Sequence, residues 1–336
     1  MHAPILDSHG RTASYMRISV TDRCNLRCTY CAGEGMEFIP HPKILRYEEI
    51  LDIIALAEGF GVEKVRFTGG EPFVRLGFAD FMIAAANRFP NVDMCVTTNG
   101  TLIGEHIEHL AKSGVRRMNI SLDTMNRKKY EQITGRDKFD IVRENIDRCL
   151  DAGMTVKVNS VAMRGVNDDE LPEFLEYAAS REIDFRFIEF MPVGTETGWK
   201  DDLVWTADDI LTEAQQLADL RPSVNGPKHG HGPARMYDIV NGKGRLGLIS
   251  SYSNHFCATC NRLRITSDGF LRTCLFSDKV YKLRPALRNE KLGLDFVERI
   301  IRSAMRSKPI GYDLLRKMSA NHGHDVCHTR MASIGG

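Results

Sequence analysis

Two groups of cysteines carry the chemistry in this chain. The first lies in the run Thr21-Asp22-Arg23-Cys24-Asn25-Leu26-Arg27-Cys28-Thr29-Tyr30-Cys31, where Cys24, Cys28 and Cys31 stand at Cys-x3-Cys-x2-Cys spacing just after an alternating stretch. Three thiolates this close reach three corners of a four-iron cluster. No fourth cysteine is near, which leaves one iron open, and an open metal position is where a substrate or cosubstrate binds. The competing reading is zinc or packed thiols. Zinc favours two pairs in one ligand set, and the next pair, Cys257 and Cys260, lies far along the chain. That pair and Cys274 form the second group. Between them, Ser267-Asp268-Gly269 is a turn signal between two alternating runs, so a hairpin carries Cys274 back toward the pair. A second cluster and a zinc site completed by a histidine such as His255 both fit these residues. Arg262 and Arg264 point the same way on their strand, close to the cysteines, and a guanidinium fork suits a phosphate.

The rest of the chain must position these groups. Its 336 residues, 43% hydrophobic and 26% charged, suffice for one large domain plus a smaller one. A formal net charge of +1 gives no electrostatic case for a nucleic-acid or membrane partner. No apolar run approaches the ~20 residues of a transmembrane helix. The start Met1-His2-Ala3-Pro4 lacks a basic segment followed by an apolar core, so no secretory signal is expected. Nine cysteines, an odd number, read as reduced thiols and metal ligands of a cytoplasmic protein, not as a disulfide framework. Cys95 and Cys149 are expected as packed thiols.

Strand-like runs at 15–21, 64–68, 92–98, 117–122, 155–161 and 184–190 alternate with amphipathic helical stretches, among them Tyr47, Ile50, Leu51, Ile54 and Ala57. Such alternation means parallel strands joined by crossover helices. Six units are too few for a closed eight-strand barrel. A curved, laterally open six-strand α/β barrel is expected, with a flat doubly wound sheet as the alternative. Five of the strands have one apolar face and one polar face. With helices outside, polar residues such as Arg17, Arg66, Thr97, Asn119 and Lys157 would line a lumen suited to a large polar ligand. Catalytic groups in such folds gather at the C-terminal strand ends. There lie the first cysteines, Gly69-Gly70-Glu71-Pro72, Asn99-Gly100 and Ser121-Leu122-Asp123.

The barrel is assigned to residues 1–200 and a C-terminal domain to 201–336. In the latter, 205–217 reads as a helix with Thr206 as a cap. Residues 221–235 read as loop, 236–240 and 245–249 as strands, and His229 and His231 as surface histidines. The His- and Cys-containing tail around Cys327 is expected to be mobile.

These motifs together resemble the GTP 3′,8-cyclase family of the radical S-adenosylmethionine (SAM) enzymes. The resemblance spans nearly the whole chain. It rests on Arg17 with Thr21 to Asn25, Arg66 to Pro72, Val156 to Asn159, Arg186 to Met191, Phe256 to Arg264 and the terminal Ile334-Gly335-Gly336. It implies an incomplete six-strand (β/α)6 barrel closed by a C-terminal α+β domain that carries a second [4Fe-4S] cluster. By position, Cys24, Cys28 and Cys31 would hold the SAM cluster, and Cys257, Cys260 and Cys274 the other. Tyr30, Gly70, Ser121 and Met191 would contact SAM. Arg17, Arg66, Thr97, Lys157, Arg262 and Arg264 would bind GTP. The reaction implied is cyclisation of GTP to 3′,8-cyclo-7,8-dihydroguanosine triphosphate, which opens molybdenum cofactor biosynthesis. It implies a flavodoxin- or ferredoxin-type electron donor or a small reductant, a downstream cyclic pyranopterin synthase, and a homodimer as an option. A peptide-modifying radical SAM enzyme with an auxiliary cluster is the runner-up, and a two-cluster redox carrier a third reading. Ala32-Gly33 departs from the family's usual apolar residue and proline after the third cysteine.

Overall fold

A computed structural model describes residues 4–31, 37–194, 198–224, 232–320, 327, 329 and 331–334. Ala32-Gly33, His229, His231 and the glycines that end the chain fall outside the described residues.

Six strands follow the alternation read from the sequence: β1 (Tyr15–Ser19), β2 (Lys64–Thr68), β3 (Asp93–Thr98), β4 (Arg117–Ser121), β5 (Thr155–Ala162) and β6 (Ile183–Glu189). Each pairs in parallel with the next. The crossovers are helical: α1 (Tyr47–Gly59), α2 (Phe78–Arg88), α3 (Ile107–Lys112), α4 (Arg127–Thr134) with α5 (Phe139–Asp151), and α6 (Leu171–Ser180). The period-2 pattern decides the faces. Met16, Ile18, Val65, Phe67, Val96, Met118, Ile120 and Val158 are buried with the inward-facing residues of the helices, such as Ile50, Ile54, Met82 and Val142.

The sheet does not stop at six strands. After α7 (Ala207–Leu217) come β7 (Leu220–Pro222), β8 (Arg235–Ile239) and β9 (Arg245–Ile249). β9 joins β6 in parallel and β8 and β7 follow antiparallel. β10 (Arg262–Ile265) then crosses to the other edge and pairs in parallel with β1, and β11 (Phe270–Arg272) and β12 (Tyr281–Lys282) complete that side antiparallel. One mixed sheet of twelve strands results, ordered β12-β11-β10-β1-β2-β3-β4-β5-β6-β9-β8-β7. Eight consecutive strands, β10 to β9, run parallel. Residues of β10 and β9, at opposite ends of that array, line a common cavity, so the sheet curls around its polar face. A flat sheet with helices on both faces is therefore not what forms. Among the described residues four helices follow: α8 (Arg284–Leu287), α9 (Gly293–Arg306), α10 (Gly311–Ala320) and α11 (Met331–Ile334).

Local expectations differ from the structure in several places. Cys327, in the tail expected to be mobile, is buried against Arg272 and Asp278. α7 starts at Ala207, not Trp205. Thr206 caps it by accepting the Asp209 N–H at 3.2 Å. Trp205 is buried outside the helix, its indole edge-on to Phe187 and its Nε1 donating to Glu213. Within the stretch read as loop, 221–222 belongs to β7 and pairs with β8, which itself starts one residue early at Arg235. A short edge strand carrying a proline leaves little trace in sequence.

Glu189, at the end of β6, ties the C-terminal strands to the barrel. Its buried carboxylate accepts the backbone N–H groups of Ala207, Tyr252 and Ser253 at 2.7–2.8 Å, and the Ser253 hydroxyl. Removing the carboxylate leaves one buried donor, Ala207 N–H, and two part-buried ones, Tyr252 and Ser253 N–H, without it, the buried one costing about 1–3 kcal/mol and the others less. Glu189→Ala is expected to lower unfolding free energy by about 3 kcal/mol or more in urea titrations of the purified protein. A change below about 1 kcal/mol would show that solvent replaces these bonds freely.

Candidate active site

At the C-terminal end of β1 the cysteine run is clamped to the next two strands. Val20 N–H reaches the Thr68 carbonyl, Gly70 N–H the Thr21 carbonyl and Glu71 N–H the Arg23 carbonyl, each at 2.8 Å. Gly69 and Gly70 make this possible. A Cβ on Gly69 would stand 2.3 Å from the Thr21 oxygen, and one on Gly70 2.3 Å from the Arg23 oxygen. The two glycines thus admit the cysteine loop itself. Glu71 lies fully buried and accepts the Thr98 hydroxyl at 2.8 Å and the N–H groups of Asn99 and Phe73. Burial pushes its carboxyl up to about 7, against those donors. Asn99 in turn donates to Asn25 Oδ1 at 2.9 Å and toward Cys24 Sγ at 3.8 Å. The Leu26 N–H points at the same sulfur at 3.4 Å.

The loop's far side rests on α4, through Arg27 N–H to Thr134 O and Thr29 N–H to Ile133 O. Tyr30 donates its hydroxyl to Asp123 at 2.7 Å. Asp123 also accepts the Val161 N–H, and burial raises it to about 6. Burial pushes the Cys28 thiol well up, with Cys31 and Asp123 adding to it, and pushes Cys24 up as well. Such thiols stay protonated unless a metal cation displaces the proton. The donor set and the N–H groups aimed at sulfur fit an iron–sulfur cluster.

The second cysteine group sits at the opposite end of the sheet. Arg262, the first residue of β10, pairs with Tyr15, the first of β1. Cys257 and Cys260 therefore precede the strands, and β11, running back, returns Cys274 to the same end. Here too N–H groups face sulfur: those of Gly311 and Tyr312, from the first turn of α10, at Cys257, and that of Phe276 at Cys274. A Cβ on Gly311 would stand 2.9 Å from the Cys274 sulfur and 3.4 Å from that of Cys257. Burial raises the Cys260 thiol, but Arg262 and Lys308 draw it down to about 7. His255 packs its ring against Tyr312, centroids 4.7 Å apart. Among the described residues no group of three or more His, Cys, Asp or Glu side chains is gathered as a single ion requires. A four-iron cluster spreads its thiolates more widely.

Between the two ends lies a cavity floored by register. One level of the sheet carries Arg262, Tyr15 and Lys64; the next carries Arg264, Arg17 and Arg66. Eight cations line the cavity, those five and Arg117, Lys157 and Arg186, and no carboxylate is among its described lining residues. Behind the wall, Asp93 pairs with Lys64 and Arg117 at 3.0 and 3.3 Å. Asp184 pairs with Arg186 at 2.7 Å and stands 4.0 Å from Lys157. Buried Nε atoms of Arg66 and Arg186, Thr97 Oγ1 and Asn119 Oδ1 find no protein partner among the described residues. Burial and then neighbouring arginines push Arg264 well down, and burial lowers Arg17. So much like charge in one buried space is costly and calls for a polyanion.

The comparisons agree with this geometry. Residues 18–178 match the Radical SAM superfamily and residues 183–314 the Molybdenum Cofactor Synthesis C family. The GTP 3′,8-cyclase of Alkaliphilus oremlandii is 39% identical over 98% of this chain and 99% of its own length. That of Syntrophomonas wolfei is 42% identical over 91% of this chain and 93% of its own. The chain belongs to the GTP 3′,8-cyclase family. Crystallised SuiB of Streptococcus suis, bound to S-adenosylmethionine, shares the fold with a TM-score of 0.66 at 17% identity, over 96% of this chain and 79% of its own.

Of the residues singled out in the sequence, Arg17, Arg66, Lys157, Met191, Cys257, Cys260, Arg262, Arg264 and Cys274 line the cavity. Cys24, Cys28, Cys31, Tyr30, Gly70, Ser121 and Thr97 do not; they lie toward the C-terminal strand ends. Tyr15, Lys64, Arg117 and Arg186 also line the cavity and were not among the expected site residues. Lys64 and Arg117 share the polar parity of Arg66 and Asn119, and that signal could have found them. Tyr15 could not be found so, because an aromatic at a strand start reads as core.

Lys157 gives the cavity a pH signature. Burial, then Arg186, lowers it to about 7, while Asp184 draws it upward. An anion beside it favours the ammonium, so an anion bound there above about pH 7 would bind together with a proton. GTP affinity is therefore expected to fall as pH rises from about 7 to about 9, and Lys157→Met to weaken binding and flatten that slope. Calorimetry in buffers of different ionisation enthalpy measures both. An equal slope in the variant would assign the proton to another group.

Proposed function

We propose that the cationic cavity binds GTP between two iron–sulfur sites at opposite ends of β1, with Cys24, Cys28 and Cys31 as ligands of the SAM-binding cluster and Cys257, Cys260 and Cys274 as ligands of the second. The activity is the cyclisation of GTP that opens molybdenum cofactor biosynthesis. One observation carries the residue assignments: eight cations, and among the described residues no carboxylate, line a cavity that reaches the second cysteine triad. When bound, the first cluster would be held by Cys24, Cys28 and Cys31 and would supply the electron for reductive cleavage of SAM.

The chain's residues bind and orient. Arg17, Arg66, Lys157, Arg262 and Arg264 present donors to the triphosphate from three directions, and Thr97 adds a hydroxyl deeper in the sheet. Phe256 lies beneath the Arg262 guanidinium, 4.5 Å from it, and limits its rotamers. Met191, Leu275, Phe276 and Met331 give the end near the second triad an apolar lining that excludes water from the reacting atoms. Tyr30, Gly70 and Ser121 border the SAM side, Tyr30 locked by Asp123, whereas Met191, expected there too, packs with Cys274 and Leu275. Three thiolates for each cluster would leave room for one further ligand at each, from SAM at the first and from the substrate at the second.

A one-electron donor of the flavodoxin or ferredoxin type fits the need for a reductant, and a cyclic pyranopterin synthase would take the product. A reducing, cytoplasmic setting suits the free thiols of all nine cysteines. No helix among the described residues is long and apolar enough to cross a membrane.

Two variants separate the clusters. In anaerobic assays of reconstituted protein, Cys28→Ser is expected to abolish deoxyadenosine formation. Cys260→Ser should keep SAM cleavage, slowly and uncoupled, yet form no cyclised nucleotide. Turnover of GTP at the parent rate by Cys260→Ser, once loss of its second cluster is verified, would remove that cluster from substrate anchoring.

A further inference from the structure

Two buried cations outside the cavity grip the second cysteine loop from behind. Residues 5–13 fold back on themselves, bridged antiparallel at Leu6 and Thr12, with Arg11 buried inside. Arg11 Nε donates to Asp7 Oδ2 at 2.6 Å, Nη1 to the Cys257 carbonyl at 2.7 Å, and Nη2 to the carbonyls of Lys308 and Pro309 at 3.3 and 3.1 Å. Asp7 is fixed in turn by the N–H groups of His9 and Arg11. Lys308, just after α9 and only 2% exposed, sends its ammonium to the carbonyls of Cys260 at 2.9 Å and Arg262 at 2.8 Å. Both cysteines of the Cys-x2-Cys loop, and the first residue of β10, are thereby held through their own carbonyls.

The charge count is uneven. Asp7 answers Arg11. Among the described residues no carboxylate pairs with Lys308, so a positive charge is buried beside the Cys260 thiol. Burying an unpaired ammonium is costly. A hydrogen-bonding anchor alone could be neutral. A thiolate-ligated cluster that gains an electron becomes more negative, and a fixed cation beside it favours that reduced state.

We propose that Arg11 and Lys308 are positioning residues of the second cluster: together they hold the Cys257–Cys260 loop and the Arg262 backbone in register with the cavity, and Lys308 raises that cluster's reduction potential. This rests on the reading of the second triad as a cluster site.

The test is an EPR-monitored redox titration of reconstituted full-length enzyme, with and without GTP. Lys308→Met should move the second cluster's midpoint to more negative potential and leave the first cluster's in place. It should also raise the GTP Kd about fivefold, the worth of one ordinary hydrogen bond to the Arg262 carbonyl. Lys308→Arg should restore both. Lys308→Gln, which donates without charge, should restore GTP affinity but not the potential. If Lys308→Met does not fold, Arg11→Gln reports instead: it should lower iron loading at the second triad alone. Midpoints that stay put, midpoints that shift together, or equal iron loss at both triads would overturn the proposal. Absence of a second cluster signal in the parent enzyme would overturn the cluster assignment itself; a parent signal that Lys308→Met leaves unmoved overturns only the clamp.

Discussion

The pairing of β10 with β1 is the constraint on which the rest of the site depends. Those strands are separated by more than two hundred residues of chain, yet they run parallel with Arg262 beside Tyr15 and Arg264 beside Arg17. That single register does three things. It extends the cationic rows of β1 and β2 by two arginines. It sets Cys257 and Cys260 at the strand starts, while Cys24, Cys28 and Cys31 follow the same sheet's strand end. It also fixes the distance between the two triads as roughly the length of a five-residue strand and its flanks, about 3.3 Å per residue. A one-residue slip would turn both arginines toward the helices and destroy the site at once.

Holding that geometry against the charge it concentrates takes firm supports. Like charges in one buried space repel, and their desolvation adds to the cost. The sheet meets this by placing its carboxylates, Asp93 and Asp184, behind the wall, where they steady Lys64, Arg117, Arg186 and Lys157 without lining the cavity. Stability for the site comes from elsewhere, from the apolar face packed on α1 to α6. A polyanion in the cavity would complete the electrostatics.

Buried acids recur as struts of the strand-end loops. Glu71 joins β2 to β3, Asp123 joins the cysteine loop to β5, Glu189 joins β6 to the C-terminal strands, and Glu170 accepts the Thr124 hydroxyl and Met125 N–H at the turn after β4. Each receives backbone N–H groups that strand ends leave without partners. A carboxylate with several lone pairs satisfies more of them than any other side chain of its size. The loops that carry chemistry are thus rigid although they lie outside the sheet.

Much of this was legible in the residues alone. Spacing announced both cysteine triads, because ligand chemistry is local. Period-2 alternation announced the polar faces of β1 to β5, because side-chain direction in a strand is set by parity. Arg17, Arg66 and Lys157 were identified that way, and the structure brings all three to the cavity. The Ser267-Asp268-Gly269 turn likewise formed where expected, with Gly269 at φ 80°. Other features depend on partners remote in sequence. That the parallel array gains β9 at one edge and β10 at the other follows from pairings no local pattern encodes. Gly69 and Gly70 serve the close approach of the cysteine loop, and Arg11 and Lys308 act on carbonyls of residues some 250 and 50 positions away. Sequence by itself determined which groups could ligate iron or hold phosphate, since that is a property of residue type and short spacing. Only the tertiary structure decided which of them share one cavity, since that depends on strand register across the whole sheet.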